Sequence, residues 1–238
     1  MTKTTQPGVA LIVWIISDGK PGHLNQSLGL AEALARATPA EVMTFRTLPR
    51  HRAWLAVLLK RFPGSGFPAP DLIVGAGHAT HGSMLAARRA FGGRTVVLMK
   101  PSLPRRWFDL CIIPQHDAVA ADARTLLTEG ALNRVRPSTE HEPDRGLLLM
   151  GGASSHFDWD NDALSLQIKS ILARTPGTRW TLTTSRRTPP DFLSVLPAAP
   201  NLTVISHTDT TLGWLPEQLA RCGTVWVTPD SASMVFEA

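Results

Sequence analysis

Two loops near the start of the sequence hold residue types that can bind a phosphate and move a proton. The first is SDGKPGH, residues 17–23, and its candidate site residues are Asp18, Gly19, Lys20, Gly22 and His23. Glycine lets the backbone approach a ligand closely, and the N-terminus of a following helix favours an anion. Lys20 adds a fixed positive charge, His23 is a candidate proton carrier, and Asn25 is expected to cap the helix. The alternative is a Gly-Pro turn with an exposed lysine.

The second loop is GAGHATHG, residues 75–82. Gly75, Gly77 and His78 suggest a backbone cradle for a substrate with a histidine at its rim. The loop lacks the dinucleotide fingerprint, because Thr80 stands at the third glycine position. His78 and His81 could share a metal, but no Cys, Asp or Glu is near them in the sequence, so no metal site is predicted.

The second half of the chain contains two further candidate loops. In GGASSHFDWD, residues 151–160, a phosphate site is predicted at Gly151, Gly152, Ser154 and Ser155. The alternative, compatible with the first, is a helix start capped by Asp158 or Asp160 with Trp159 as a hydrophobic staple.

The last motif is TPDSASMVFEA, residues 228–238. Asp230 ends a strand and Ser231 can cap the next helix, where Ser231 and Ser233 could donate to a phosphate. Glu237 lies too deep in this helix for a capping box and is suited to accepting hydrogen bonds from two sugar hydroxyls. The alternative is ordinary polarity at the protein surface.

These loops must be held by the elements around them, and the sequence predicts which elements those are. Short continuous apolar runs such as VALIVWIIS, DLIVGAG and GLLLMGG alternate with stretches of helical periodicity. Continuous apolar strands are typical of parallel sheets covered on both faces, so the fold class is α/β. We predict about five strands in a first domain, residues 1–133, and four in a second domain, residues 147–238. The polar, proline-containing residues 134–146 are the expected linker, and the second domain is expected to be incomplete.

Composition limits the function classes. The chain has 238 residues, 43% of them hydrophobic, with a net charge of +5 and a pI near 9.9. No apolar run reaches the roughly 18 residues that span a bilayer, and the two cysteines lie in apolar segments, so a cytoplasmic protein with buried reduced thiols is expected. The arginines are dispersed without an aromatic platform, so no nucleic-acid partner is predicted. The segment Arg46 to Arg61 is either a basic amphipathic helix for an anionic membrane or an ordinary surface helix.

Together, SDGKPGHLNQSLGLAEAL and VTPDSASMVFEA resemble a bacterial family named as nucleoside-diphosphate-sugar epimerases, related to the plant elongated-mitochondria fission protein. The pattern is more remotely similar to GT-B glycosyltransferases that act on lipid-linked acceptors. This resemblance implies two Rossmann-like domains in a GT-B-like arrangement. It implies that the first two loops face the acceptor, with His23 near the place of the base. It also implies that the GGASS loop opens the nucleotide-sugar domain, that Ser231 and Ser233 face the diphosphate, and that Glu237 binds the ribose.

Three functions follow, in order of preference. The first is a metal-independent glycosyltransferase that uses a nucleoside-diphosphate sugar as substrate, without a cofactor, on an acceptor that can be lipid-linked. The second is a non-catalytic adaptor at a membrane or protein partner. The expected location is the cytoplasm, with a peripheral position at the inner membrane as the alternative. The third is an NAD-dependent sugar epimerase, which fits poorly, because the chain contains no tyrosine for a Tyr-x-x-x-Lys pair and no GxGxxG loop.

Overall fold

The first apolar run forms a strand that is covered on both faces. In the computed structural model, which describes residues 10–154 and 157–238, this strand is β1 (Leu11–Ser17). Its four central residues are each at most 1% exposed. Trp14 and Ile16 belong to one apolar cluster and Val13 and Ile15 to another, because successive side chains of a strand point to opposite faces. The predicted α/β sheet with two covered faces is confirmed.

The chain divides into two compact units, Met1–Arg134 (unit 1) and Val135–Ala238 (unit 2). In unit 1 the strands after β1 are β2 (Ala40–Arg46), β3 (Leu72–Ala76), β4 (Arg94–Leu98), β5 (Leu110–Pro114) and β6 (Thr125–Thr128). They form one parallel sheet in the order β2-β1-β3-β4-β5-β6. The helices are α1 (Pro21–Ala37), α2 (Arg50–Leu59) and α3 (His81–Phe91).

Unit 2 is a smaller parallel sheet of the same kind. Its strands are β7 (Glu142–Leu149), β8 (Arg179–Thr183), β9 (Leu202–Ile205) and β10 (Cys222–Val227). They pair in the order β10-β7-β8-β9. The helices are α4 (Asn161–Arg174), α5 (Trp214–Arg221) and α6 (Ala232–Glu237).

Two element boundaries differ from the sequence prediction. Unit 1 has a sixth strand, β6, which was not predicted because its four residues are too few for a clear apolar run. The predicted linker, residues 134–146, extends too far, because β7 begins at Glu142. Polar residues can open this strand because its charges are paired: the Glu142 carboxylate lies 2.7 Å from Arg221 Nη2 and 3.3 Å from Arg179 Nη2.

The helix caps were predicted correctly in unit 2 and wrongly in unit 1. Asp160 caps α4 by accepting from the backbone N of Asp162 and Ala163, and Ser231 caps α6 by accepting from Met234 N. Asn25 does not cap α1, which begins four residues earlier at Pro21. Proline is favoured at the first helical position, since its fixed φ suits a helix and its missing N–H has no partner there.

Both cysteines, Cys111 and Cys222, are buried and free, as predicted. Burial raises the pKa of each thiol, so both are poor nucleophiles. Among the described residues no helix is both long and apolar enough to cross a bilayer.

Candidate functional site

The candidate loops of unit 1 lie at the point where the sheet reverses its winding. The strand order β2-β1-β3-β4 places β1 beside β3, and in such open sheets ligands bind beyond the carboxyl ends of the strands at this switch point. The loop after β1 and the loop after β3 are the two that flank it. The topology therefore brings together the two unit 1 loops that were singled out from the sequence.

A histidine and a carboxylate form a pair at this position. His23, in the first turn of α1, has its Nδ1 atom 2.9 Å from Asp18 Oδ2. The Asp18 side chain is 5% exposed and that of His23 is 19% exposed. Asp18 Oδ1 also accepts from Lys20 N at 3.1 Å, and Ser17 Oγ accepts from Gly19 N at 3.1 Å. These bonds fix the loop so that the carboxylate holds the imidazole in one orientation.

The protonation of the pair follows from its surroundings. Burial alone would raise the pKa of Asp18, but the hydrogen bonds from Lys20 N and His23, with the nearby positive charges, bring it below its ordinary value of 3.8. An ionised carboxylate can only accept a hydrogen bond, so the Nδ1 atom of His23 carries the proton. This tautomer leaves the Nε2 atom on the side of the ring away from Asp18, which is the geometry that general base catalysis needs.

Gly77 makes room for this imidazole. Its φ is +81°, and a Cβ built there would lie 2.3 Å from His23 Cε1. At Gly75 a Cβ would lie 2.6 Å from Met84 Sδ, and Thr80 Oγ1 donates to Gly77 O at 2.8 Å. The glycines of the second loop thus serve the contact with His23 and the packing of α3.

The other predicted residues of unit 1 lie in the same two loops and in α1. The Nζ atom of Lys20 lies 3.9 Å from Asp18 Oδ2, and this side chain is 54% exposed. Gly19 has a φ of +81°, and a Cβ at Gly19 or Gly22 would meet no atom within 4 Å. Asn25 lies inside α1 rather than before it. His78 is exposed at the start of a one-turn 3-10 helix.

A second histidine at this edge was not predicted as a site residue. His81 is 2% exposed, and its Nδ1 atom lies 3.3 Å from Ser102 Oγ. Its Nε2 atom is buried without a hydrogen-bond partner among the described residues. Burial, assisted by the charge of His78, lowers the pKa of His81 to about 4. It lines a pocket of about 670 Å³ together with Arg50 and Trp54. Among the described residues no group of three or more His, Cys, Asp or Glu could hold a metal ion.

Unit 2 also brings its predicted loops together at a switch point. The order β10-β7-β8-β9 places the first strand of the unit beside the last, and the loops after β7 and β10 meet there. Gly151 N donates to Thr228 Oγ1 at 2.8 Å, and Gly152 N donates to Asp230 Oδ2 at 2.9 Å. Both amides are therefore satisfied by protein oxygens in this structure.

Arg187, from the loop after β8, completes the cluster and was missed from the sequence. Its Nη2 atom lies 2.7 Å from Asp230 Oδ2, and its Nη1 atom donates to Gly152 O at 3.3 Å. The Asp230 side chain is 4% exposed, and its Oδ1 atom has no hydrogen-bond partner among the described residues. The sequence signal was TTSRRT, residues 183–188, because hydroxyls and arginines follow a strand of a parallel sheet at its carboxyl end.

The remaining predicted residues of unit 2 are Ser154, Ser155, Ser233 and Glu237. Ser154 N donates to Phe157 O at 3.1 Å, and Ser155 lies outside the described residues. Ser233 is exposed in α6, and Glu237 is the last residue of that helix.

Two parallel α/β sheets, each with its loops gathered at a switch point, define a pair of Rossmann-like domains of the type found in GT-B enzymes. Solved structures share this fold. The match to the S. aureus MnaA–UDP co-structure covers 94% of this chain and 75% of the MnaA chain, at 11% identity and a TM-score of 0.53. A Listeria monocytogenes protein described as a UDP-N-acetylglucosamine 2-epimerase covers 93% and 75%, at 12% identity and a TM-score of 0.56. At such identities the likeness concerns the fold.

A family model described as mitochondrial fission ELM1 matches residues 21–238, and the chain belongs to this family. The resemblance stated from the two sequence motifs is thereby confirmed. The uncharacterized protein RP120 of Rickettsia prowazekii is 27% identical over 119 residues, which are 44% of this chain and 32% of that protein. The chain therefore matches about a third of the length of this relative.

Proposed function

We propose that this protein binds a nucleoside-diphosphate sugar and transfers the sugar to a hydroxyl group of an acceptor. The observation that carries the proposal is the Asp18–His23 pair, held at 2.9 Å where the sheet of unit 1 reverses. A buried carboxylate that fixes the tautomer of a histidine is the usual way to prepare a general base. The shared fold with a protein solved in complex with UDP supports a nucleotide sugar as donor.

In the proposed reaction His23 Nε2 takes the proton of the acceptor hydroxyl. The acceptor oxygen forms a bond to the anomeric carbon, and the bond from that carbon to the diphosphate oxygen breaks. The diphosphate leaves with the electron pair, and Lys20 contributes positive charge to stabilise it. The nucleotide sugar is a substrate, and the reaction requires neither a metal nor a further cofactor.

For the donor we propose the loops of unit 2. The backbone amides of Gly151 and Gly152 are already bonded to Thr228 and Asp230. A phosphate would therefore use the hydroxyls of Ser154, Ser155, Ser231 and Ser233, or compete with Asp230 for Arg187. Glu237 is the proposed partner of the ribose hydroxyls.

Calorimetric titration with UDP sugars, followed by a transfer assay on lipid-linked and soluble acceptors, tests the proposal. We expect binding of at least one donor and a fall of about 10²- to 10⁴-fold in transfer for His23→Ala, with donor binding retained. The exposed His116→Ala is the matched control and should leave transfer unchanged. If no nucleoside-diphosphate sugar binds, the proposal is wrong.

Two alternatives have their own tests. A non-catalytic adaptor is favoured by three exposed leucines of α2, Leu55, Leu58 and Leu59. It would retain partner binding in His23→Ala while showing no transfer in the unaltered protein. An NAD-dependent epimerase would bind NADH, and fluorescence titration with NADH should detect no binding if the transferase proposal is right.

A further inference from the structure

Helix α2 turns an apolar face towards solvent. Leu55, Leu58 and Leu59 are 54%, 75% and 53% exposed, and Trp54 is 37% exposed. With 3.6 residues per turn, these four side chains share one side of the helix. Ala53, the buried residue of α2, lies on the opposite side. A surface helix of a globular protein normally carries polar residues on the side that faces solvent. The exposed apolar face of α2 therefore indicates an interaction surface.

Positive charges border this apolar face on both flanks. Arg52 and Arg61 line the groove of about 600 Å³ that includes Leu55 and Leu59. Lys60, Arg88 and Arg89 line the groove on the flank of Trp54. Arg88 is neutralised by Asp109, with 3.3 Å between Nη2 and Oδ1. No ion pair found among the described residues includes any of the other four cations.

The charge of the surrounding sequence has one sign. Residues 42–108 contain 11 Lys and Arg residues and a single acidic residue, Asp71. The Asp71 carboxylate accepts a hydrogen bond from Ile12 N at 2.8 Å. In this part of the sequence one negative charge therefore stands against eleven positive charges, which favours the approach of an anionic surface.

We propose that α2 lies in the surface of a bilayer that contains anionic lipids. Leucine side chains enter the boundary of the acyl chains, cations bind the phosphates of the headgroups, and tryptophan is enriched at the same depth. Trp107, 40% exposed and with its ring centroid 6.1 Å from that of Trp54, extends the apolar face. Charge complementarity selects the anionic lipid, and the four contiguous apolar side chains select a bilayer over a free phosphate. This proposal goes beyond the proposed function and does not depend on it.

Co-sedimentation with lipid vesicles tests the proposal without any nucleotide. We expect binding to vesicles of phosphatidylcholine with phosphatidylglycerol, weak binding to pure phosphatidylcholine, and a decrease with added salt, since salt screens charges beyond about 8–10 Å. Absence of binding to the mixed vesicles would overturn the proposal.

Leu58→Glu tests the apolar part, with Leu166→Glu as the matched control. Leu166 lies on α4 and is 67% exposed, close to the 75% of Leu58. We expect Leu58→Glu to weaken vesicle binding about tenfold or more and Leu166→Glu to leave it unchanged. Equal binding of the two variants would contradict insertion of α2. UDP-sugar titration on the same variants keeps failure here separate from failure of the proposed transferase.

A charge variant and a measurement of mass complete the design. Arg52→Gln with Arg61→Gln and Arg89→Gln should remove the preference for phosphatidylglycerol, whereas the exposed Arg174→Gln should not. Retained preference in the triple variant would contradict the role of these cations. If light scattering shows a dimer that Leu58→Glu dissociates, the face is an interface between copies of the chain, and the proposal is wrong.

Discussion

At the scale of single residues, the imidazole of His23 occupies the space that a side chain at position 77 would fill. We expect Gly77→Ala to displace the imidazole and lower transfer activity about 10-fold or more, because misplacement by an ångström is costly for a catalytic group. A Cβ at position 77 would lie 2.3 Å from His23 Cε1. Transfer kinetics and the NMR titration of His23 measure the effect.

Gly19→Ala is the control for backbone strain. Gly19 and Gly77 share a φ of +81°, but a Cβ at Gly19 meets nothing within 4 Å. The difference between the variants therefore reports the contact with His23. Equal losses of transfer activity in both variants would mean that position 77 requires glycine because of its left-handed backbone, and not because of the space that the imidazole occupies.

The sequence indicated which residue types stood near the first site but not how they pair. Asp18 and His23 are five residues apart, and they meet because α1 begins at Pro21 and turns His23 back over the loop. Arg187 was missed for a related reason. Its partner Asp230 is 43 residues away, and no local pattern predicts which loop of a sheet supplies the counterion.

At the scale of elements, the loop after β7 packs so closely that it tolerates no side chain. A Cβ at Gly152 would lie 2.1 Å from Arg187 O, a backbone atom that cannot turn aside. We expect Gly152→Ala to lower the free energy of unfolding by about 1 to 3 kcal/mol. Urea denaturation measures this, with Gly177→Ala as the control in the same unit, since a Cβ there meets nothing within 4 Å. A stability equal to that of Gly177→Ala would contradict the close packing.

The sequence predicts that these strands exist, whereas the residue at which a strand begins can depend on contacts with distant parts of the chain. β1 and β3 are visible from continuous apolar residues, because both faces of the sheet are covered. β7 was expected to start later, because its first residues are mostly charged. They become strand through backbone pairing, with Glu142 opposite Cys222 and Arg145 opposite Arg179, and through ion pairs of Glu142 with residues 37 and 79 positions away. Tertiary pairing of this kind leaves no signal in a local window.

At the scale of the whole molecule, acid should destabilise the fold in two separate ranges of pH. The pKa of His81 falls from 6.5 to about 4 on folding. Between these values the unfolded chain binds more protons, so stability is lost as pH falls, by up to roughly 3 kcal/mol. The pKa of Asp18 is below 3.8 in the folded chain. The stabilisation that the ionised Asp18 carboxylate gives to the folded chain is present above that value and is lost as the pH falls further.

Denaturation with urea at a series of pH values measures the first range. We expect the free energy of unfolding of His81→Asn to change less between pH 6.5 and 4 than that of the unaltered protein, whatever the stability of the variant at neutral pH. The exposed His116→Asn should show the same change with pH as the unaltered protein. Parallel curves for the unaltered protein and His81→Asn would show that His81 is not the group that titrates.

The segregation of charge along the chain has a consequence for how the protein behaves towards charged matrices. Residues 42–108 hold 11 of the 24 cations and one of the 19 acidic residues, which leaves 13 cations and 18 acids elsewhere, a balance of −5. The pI near 9.9 therefore describes neither part. On a cation exchanger the molecule should adsorb in one preferred orientation through this segment, and the remaining surface should still attract an anion exchanger.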